Sequence, residues 1–168
     1  MIGNDGRRLP RHLTITWVLL LLLAVFPVVS VALDLLGDFT KGIPADHMGA
    51  FAALAGTGWA ALRHSMPGLA RYVTTLEVGY AIHELVFGIL FIVIVAIPFR
   101  RGQWWAWWAC WAVGIADVGY TLTFGLHDSS VLFQSLGAGI ALGVLLLLQL
   151  PRFLRPRQRG LAAAPSAN

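Results

Sequence analysis

The chain has 168 residues, of which 58% are apolar and 12% charged, with 12 basic side chains against 8 acidic ones and a formal charge of +4. An ordinary soluble domain carries about 25% charged residues, so the composition points to lipid rather than water as the solvent. The basic residues are dispersed at the edges of apolar segments, which argues against nucleic acid as a partner, and a lone cysteine, Cys110, excludes an internal disulfide and paired-cysteine redox chemistry.

An apolar helix of about 20 residues crosses the ~30 Å hydrocarbon core of a bilayer. The first predicted span, 13–36, follows a short arm, 1–12, that holds Arg7, Arg8 and Arg11. It is uncharged from Leu13 to Leu33, and Pro27 near its centre is placed to kink it. The same N-terminus resembles a signal peptide, with Ser30-Val31-Ala32 as a small-x-small cleavage site. Its apolar run is longer than such signals usually have and Asp34 follows directly, so the segment is read as a retained span; cleavage would leave three spans. The outer loop, 37–68, is rich in Ala and Gly over 45–64. Thr57 is positioned to cap a short helix over 60–64 that Met66-Pro67 would end. One or two short amphipathic helices lying on the membrane surface are expected here, with Trp59 as an interfacial anchor.

Spans two and three, 69–99 and 103–124, each fall short of an uncharged crossing. Only 15 residues separate Glu84 from Arg100, and another 15, starting at Gly102, precede Asp117. If both segments span, Glu84 and Asp117 lie within the bilayer. Span three opens with Trp104, Trp105, Trp107, Trp108 and Trp111, an aromatic belt expected to anchor it at the interface. Span four, 129–150, carries Ser135, Gly139 and Gly143 in a small-residue stripe that lets another helix approach closely, either from the same chain or from a second subunit. The remaining residues, 151–168, read as a basic, disordered cytoplasmic tail.

Nine arginines collect on one side of these spans: Arg7, Arg8, Arg11, Arg100, Arg101, Arg152, Arg155, Arg157 and Arg159. Lys41, Arg63 and Arg71 fall on the other. Short basic loops are retained in the cytoplasm, which predicts an all-α, integral-membrane four-helix bundle of the plasma membrane with both termini cytoplasmic.

That orientation gathers polar residues in the outer half. At ~1.5 Å per residue, Glu84 and Asp117 both lie about 21 Å from the cytoplasmic face. Tyr80, Tyr120 and Gln134 reach similar depth, with Glu77 and Asp34 at the outer edge. Glu77, Tyr80, Glu84 and Phe91 share one face of span two; Asp117, Tyr120 and Phe124 share one face of span three. His83 points off the Glu84 face by roughly 100°. An ionised carboxylate at this depth costs at least ~2.5–3.5 kcal/mol. No Lys or Arg lies inside a span, and Arg71 is placed to reach only Glu77 or Asp34. The expected solutions are a water-filled pocket open outward, protonated carboxyls bonded to Tyr and Gln, or a bound cation. His47, His64, His127 and Asp128 lie outside the spans without the spacing of a metal motif, so no metal site is assigned.

Two stretches carry a family resemblance. Thr57-Gly58-Trp59-Ala60-Ala61-Leu62, continuing to Pro67-Gly68-Leu69-Ala70, and Arg100-Arg101-Gly102-Gln103-Trp104-Trp105-Ala106-Trp107-Trp108-Ala109 resemble the outer segment and the loop before span three of small actinobacterial four-span proteins, grouped with DoxX-like four-helix proteins. The resemblance implies the bundle and carries over no catalytic residue.

The leading expectation is a non-enzymatic membrane protein, alone or as an accessory subunit of a larger or homo-oligomeric complex. Its outward acidic pocket would bind a small cationic or lipidic ligand or carry protons through Glu84 and Asp117, oriented by Tyr80, Tyr120 and Gln134. An intramembrane enzyme using carboxylate acid/base chemistry on a lipid or quinone is the rival class, and a purely structural subunit the third. No nucleophile, metal motif or cofactor signature supports catalysis, so no catalytic residue and no cofactor is assigned.

Overall fold

The computed structural model describes residues 10–154. The arm before Pro10 and the basic tail from Arg155 onward lie outside the described residues. Among those described there is no strand, and four helices are long and apolar enough to cross a membrane.

The first, α1 (Arg11–Lys41), is longer than its expected span by five residues at its C-terminal end. It stops at Gly42, whose φ of 94° is the left-handed conformation that closes a helix and that a side chain resists. Two short helices follow, α2 (His47–Ala55) and α3 (Trp59–Ser65). The expected Thr57 cap is not made: Gly58 occupies the N-cap position of α3 and no side chain caps it. Trp59 is likewise not an interfacial anchor. Its indole is buried with Ile43, Leu62 and Ala70, and its Nε1–H donates to the Lys41 carbonyl (2.8 Å), satisfying an acceptor at the α1 terminus.

Helix α4 (Pro67–Ile94) begins at Pro67, where a missing amide hydrogen costs nothing. It runs into a π-helical turn at Val95–Phe99. Pro98 cannot donate to the carbonyl four residues back, and the wider turn absorbs that lost bond. Helix α5 (Trp104–Thr123) leads through a 3₁₀ turn (Gly125–His127) to α6 (Ser129–Leu154), which continues past Pro151 into what was read as tail.

Around the bundle, α4 packs along α1, α1 along α6 and α6 along α5, while α4 and α5 meet least. At Gly88 α4 lies close against α1: a Cβ there would lie 2.9 Å from Val28 Cγ2 and 3.5 Å from Pro27 Cβ. The packed core occupies the half of the bundle toward Arg100, built from Leu20, Ala24, Phe91, Val95, Phe99, Trp107, Cys110, Leu142 and Leu146. Polar atoms at that end point at backbone carbonyls. Trp17 Nε1 donates to Val95 O (3.0 Å), Trp107 Nε1 to Leu146 O (3.1 Å) and Gln149 Nε2 to Leu13 O (2.7 Å). Trp107 is therefore a core residue, while Trp104, Trp105 and Trp108 stay exposed where a bilayer interface would meet them. Trp111 is half-buried, with its ring against Gly143.

Candidate functional site

Toward the α2–α3 end the helices cease to fill the space between them and enclose a cavity of about 460 Å³. Its floor is apolar: Phe91 and Leu142 belong both to the core and to the lining. Above them α4 contributes Tyr80, His83 and Glu84, α5 contributes Asp117 and Tyr120, and α6 contributes Gln134 and Ser135. Phe26 and Ser30 of α1 complete the wall, and Asp46, just before α2, closes the rim. Among the described residues that line it there are three carboxyl groups and no Lys or Arg.

Two polar constellations shape this cavity. The first joins α5 to α6. Ser135 Oγ donates to Asp117 Oδ1 (2.9 Å), and the Thr121 and Ser135 hydroxyls are bonded to each other. The other carboxylate oxygen of Asp117 lies over Gly139, where a Cβ would come within 2.8 Å of it. Gly143 accommodates Trp111, whose ring a Cβ would meet at 3.7 Å. The small-residue stripe of Ser135, Gly139 and Gly143 thus faces α5 of its own chain, and Ser135 adds a hydrogen bond to Asp117 that a packing role alone does not require.

The second constellation lies at the rim and centres on His47. Its Nδ1 is 3.0 Å from Glu77 Oε2 on α4, and its Nε2 is 3.0 Å from the Tyr120 hydroxyl on α5. The imidazole stacks on Phe124, with ring centroids 5.3 Å apart and planes 10° from parallel. A neutral ring donates from Nδ1 to the carboxylate and accepts the Tyr120 proton at Nε2; a protonated ring donates to both. Burial pulls the His47 pKa down, but the Glu77 hydrogen bond and charge, with Asp46 and Asp34 behind them, outweigh burial and hold the ring above its ordinary 6.5. Helix α2 is seated from its other side by Asp128, whose carboxylate occupies the space beside Gly49. Asp128 also accepts from Ser130 N (2.8 Å) and Ser130 Oγ (2.5 Å), which keeps it below the usual carboxylate range.

Sequence reasoning placed Arg71 as the partner of Glu77 or Asp34. Glu77 pairs instead with His47, and Arg71 is exposed. His83 reaches the lining, although its Nδ1 is bonded to Gly79 O (2.7 Å) of its own helix. Glu77 and Phe124 share helix faces with the cavity residues yet turn to His47 rather than into the cavity. Asp46 was missed, and His47 was noted only as lying outside the spans; Asp38, which lies on α1 outside both constellations, was also passed over. Asp38 is 2% exposed, and neither of its carboxylate oxygens has a partner among the described residues. Its position was foreshadowed only by its spacing four residues after Asp34 on α1; nothing local to His47 foretells where its loop returns. Among the described residues no group of three His, Cys, Asp or Glu has the arrangement to hold a metal ion.

Neither a protein family, nor a curated protein, nor a solved structure matches the chain. The arrangement defines the class, a multi-pass membrane-type helical protein, and its functional reading rests on the cavity.

Proposed function

We propose that this is a multi-pass plasma-membrane protein, with both termini cytoplasmic, whose outward cavity binds a small hydrophobic organic cation. The observation that carries this reading is the pairing of three carboxyl groups, Asp46, Glu84 and Asp117, with an apolar and aromatic floor and, among the described residues of the lining, no Lys or Arg. A cation supplies the charge that such a site lacks. Carboxylates buried among helices are stabilised by a cation, by protons or by water, and a cavity of about 460 Å³ has room for a ligand as well as water. Phe26, Phe91, Tyr80 and Tyr120 offer ring faces, whose negative quadrupole attracts an ammonium or phosphonium group. Glu84 and Asp117 supply the charge and Ser135 fixes the Asp117 carboxylate. Tyr120, held by His47, keeps its hydroxyl at the rim. Exposed Leu and Ile side chains on all four long helices meet lipid, which also gives a hydrophobic ligand its route of approach.

The test is calorimetric titration of the full chain in nanodiscs with tetraphenylphosphonium, beside the double variant Glu84→Gln/Asp117→Asn. Saturable binding by the wild type that is lost in a folded double variant is the expected result. Equal binding by the two proteins, or none by the wild type, refutes the cation reading.

A further inference from the structure

The opposite end of the bundle holds a second, smaller feature that the cation cavity does not involve. Leu13, Thr14 and Trp17 of α1, Arg100 of the turn between α4 and α5, and Arg152 of α6 surround a cavity of about 70 Å³. Two arginines therefore line one small space. Arg152 donates from Nη2 to the backbone carbonyl of Arg100, which fixes the second arginine beside the first. Its Nη1 is buried and has no partner among the described residues. Arg100 lies over the Trp17 ring, 4.8 Å from its centroid, and is held on the same side.

Among the described residues this concentration of charge is uncompensated. Seven of the eight acidic residues, from Asp34 to Asp128, belong to the other half of the bundle, to the loop beyond it or to the rim of the large cavity. The eighth, Asp5, lies outside the described residues. Two like charges drawn together at a helix-bundle surface repel, and a guanidinium N–H left unbonded away from water is costly. A single anion placed between them relieves both penalties. The donors are of the right kind: arginine forks match tetrahedral oxyanions, and the Thr14 hydroxyl adds another donor at the wall. The surroundings also fit a headgroup, since Ile15, Val18 and Leu19 are exposed next to the cavity on α1 and Trp104, Trp105 and Trp108 form an interfacial belt at the same end. Basic pockets between helices at a membrane edge are suited to lipid phosphate.

From this geometry we infer that Arg100 and Arg152 form a phosphate-binding site occupied by the headgroup of an anionic phospholipid, its acyl chains lying along α1.

The experiment uses the purified full chain and two sources of the same chemistry. Native mass spectrometry after exchange into detergent containing phosphatidylglycerol or phosphatidylcholine reads the lipid; a thermal-shift titration with inorganic phosphate reads the free anion. The expected result is one phosphatidylglycerol retained in preference to phosphatidylcholine, with roughly fivefold or greater loss of apparent affinity in Arg100→Gln and in Arg152→Gln. Arg101→Gln, which alters an exposed arginine outside the cavity, should retain the lipid. Arg152→Lys keeps the charge without the fork and should fall between, which gives a reading if Arg152→Gln does not fold. Stabilisation by phosphate without lipid retention would overturn the lipid as the occupant. Loss of neither ligand on Arg100→Gln, retention of both lipids alike, or gain of lipid binding only after Asp5→Asn would overturn the site, the last by showing that Asp5 is the counter-ion.

Discussion

The His47–Glu77 pair predicts a pH-dependent stability that one substitution weakens. The two atoms are 3.0 Å apart, and the side chains are 8% and 20% exposed. At that distance the gross attraction is about 1.4 kcal/mol in water and about 5.5 kcal/mol at an effective dielectric near 20, before desolvation is subtracted. A charge-assisted hydrogen bond in this setting is worth about 1.5–3 kcal/mol net. Because the folded protein holds the His47 pKa above 6.5, it binds a proton more tightly than the unfolded chain does. The stabilisation is fully present below about pH 6.5 and is lost as pH rises through the folded value, with a slope of at most about 1.4 kcal/mol per pH unit for one proton. Glu77→Gln leaves an acceptor for neutral His47 but removes the charge. Burial, the largest influence on the ring, then acts with less opposition and lowers its pKa. The variant should therefore lose about 1–3 kcal/mol at pH 6 and less than about 1 kcal/mol at pH 8. Chemical unfolding in mixed micelles, followed by tryptophan fluorescence across pH 5.5–8.5, yields the difference between the two proteins, in which unrelated carboxyls cancel. An imidazole titration by NMR locates the midpoint. Parallel stability curves for the two proteins would refute the reasoning.

Three other perturbations separate packing from binding. Gly88→Ala drives a Cβ to within 2.9 Å of Val28 Cγ2 on α1, and overpacking there should cost about 1–3 kcal/mol of unfolding free energy, measured in the same micelles. Gln149 donates to Leu13 O (2.7 Å) and Thr16 Oγ1 (2.5 Å) while its Oε1 is unpartnered. Gln149→Leu should thus cost less than about 1.5 kcal/mol, whereas Gln149→Glu, which aims a carboxylate at a carbonyl, should cost more than about 2 kcal/mol by equilibrium unfolding. Ala138→Leu projects new methyl groups into the large cavity, so tetraphenylphosphonium binding should fall at least tenfold while the melting temperature holds or rises.

The spans were legible because a bilayer demands apolar length: the first and fourth runs meet that demand unbroken, and the second and third meet it with a carboxyl inside the run. Face assignment was legible in part: Tyr80, Glu84 and Phe91 share a helical stripe and line the cavity, as do Asp117 and Tyr120, whereas His83, expected off that stripe, lines it too and Glu77, on the stripe, does not. Contacts between helices were not, since periodicity fixes the phase of a residue on its own helix and leaves its azimuth toward the next one open. Ser135 shows the difference. Its spacing from Gly139 identified a close approach, but only the docking of α6 on α5 shows that Asp117 is what approaches. Trp59 and Trp107 failed for a related reason. An indole prefers the interface unless a backbone carbonyl meets its N–H inside, and the carbonyls of Lys41 and Leu146 are supplied by other helices.

The cavity follows from an imbalance between the two halves of the bundle. Toward Arg100 the inward positions hold Leu20, Phe99, Trp107 and Leu146, large side chains that fill the interior, and three side-chain bonds to carbonyls tie α1 to α4 and to α6, and α5 to α6. Toward α2 the inward positions hold Ser30, Glu84, Asp117 and Ser135, which are too small or too polar to fill the same space. Helices α4 and α5, the neighbouring long helices with least contact, would have little to hold them at that end. His47 supplies the missing link, since one ring bonds Glu77 of α4 and Tyr120 of α5 at once. A residue of α2 thereby substitutes for the packing that the cavity removes. Opening the bundle between α4 and α5 has to break at least one of the two hydrogen bonds that this imidazole makes.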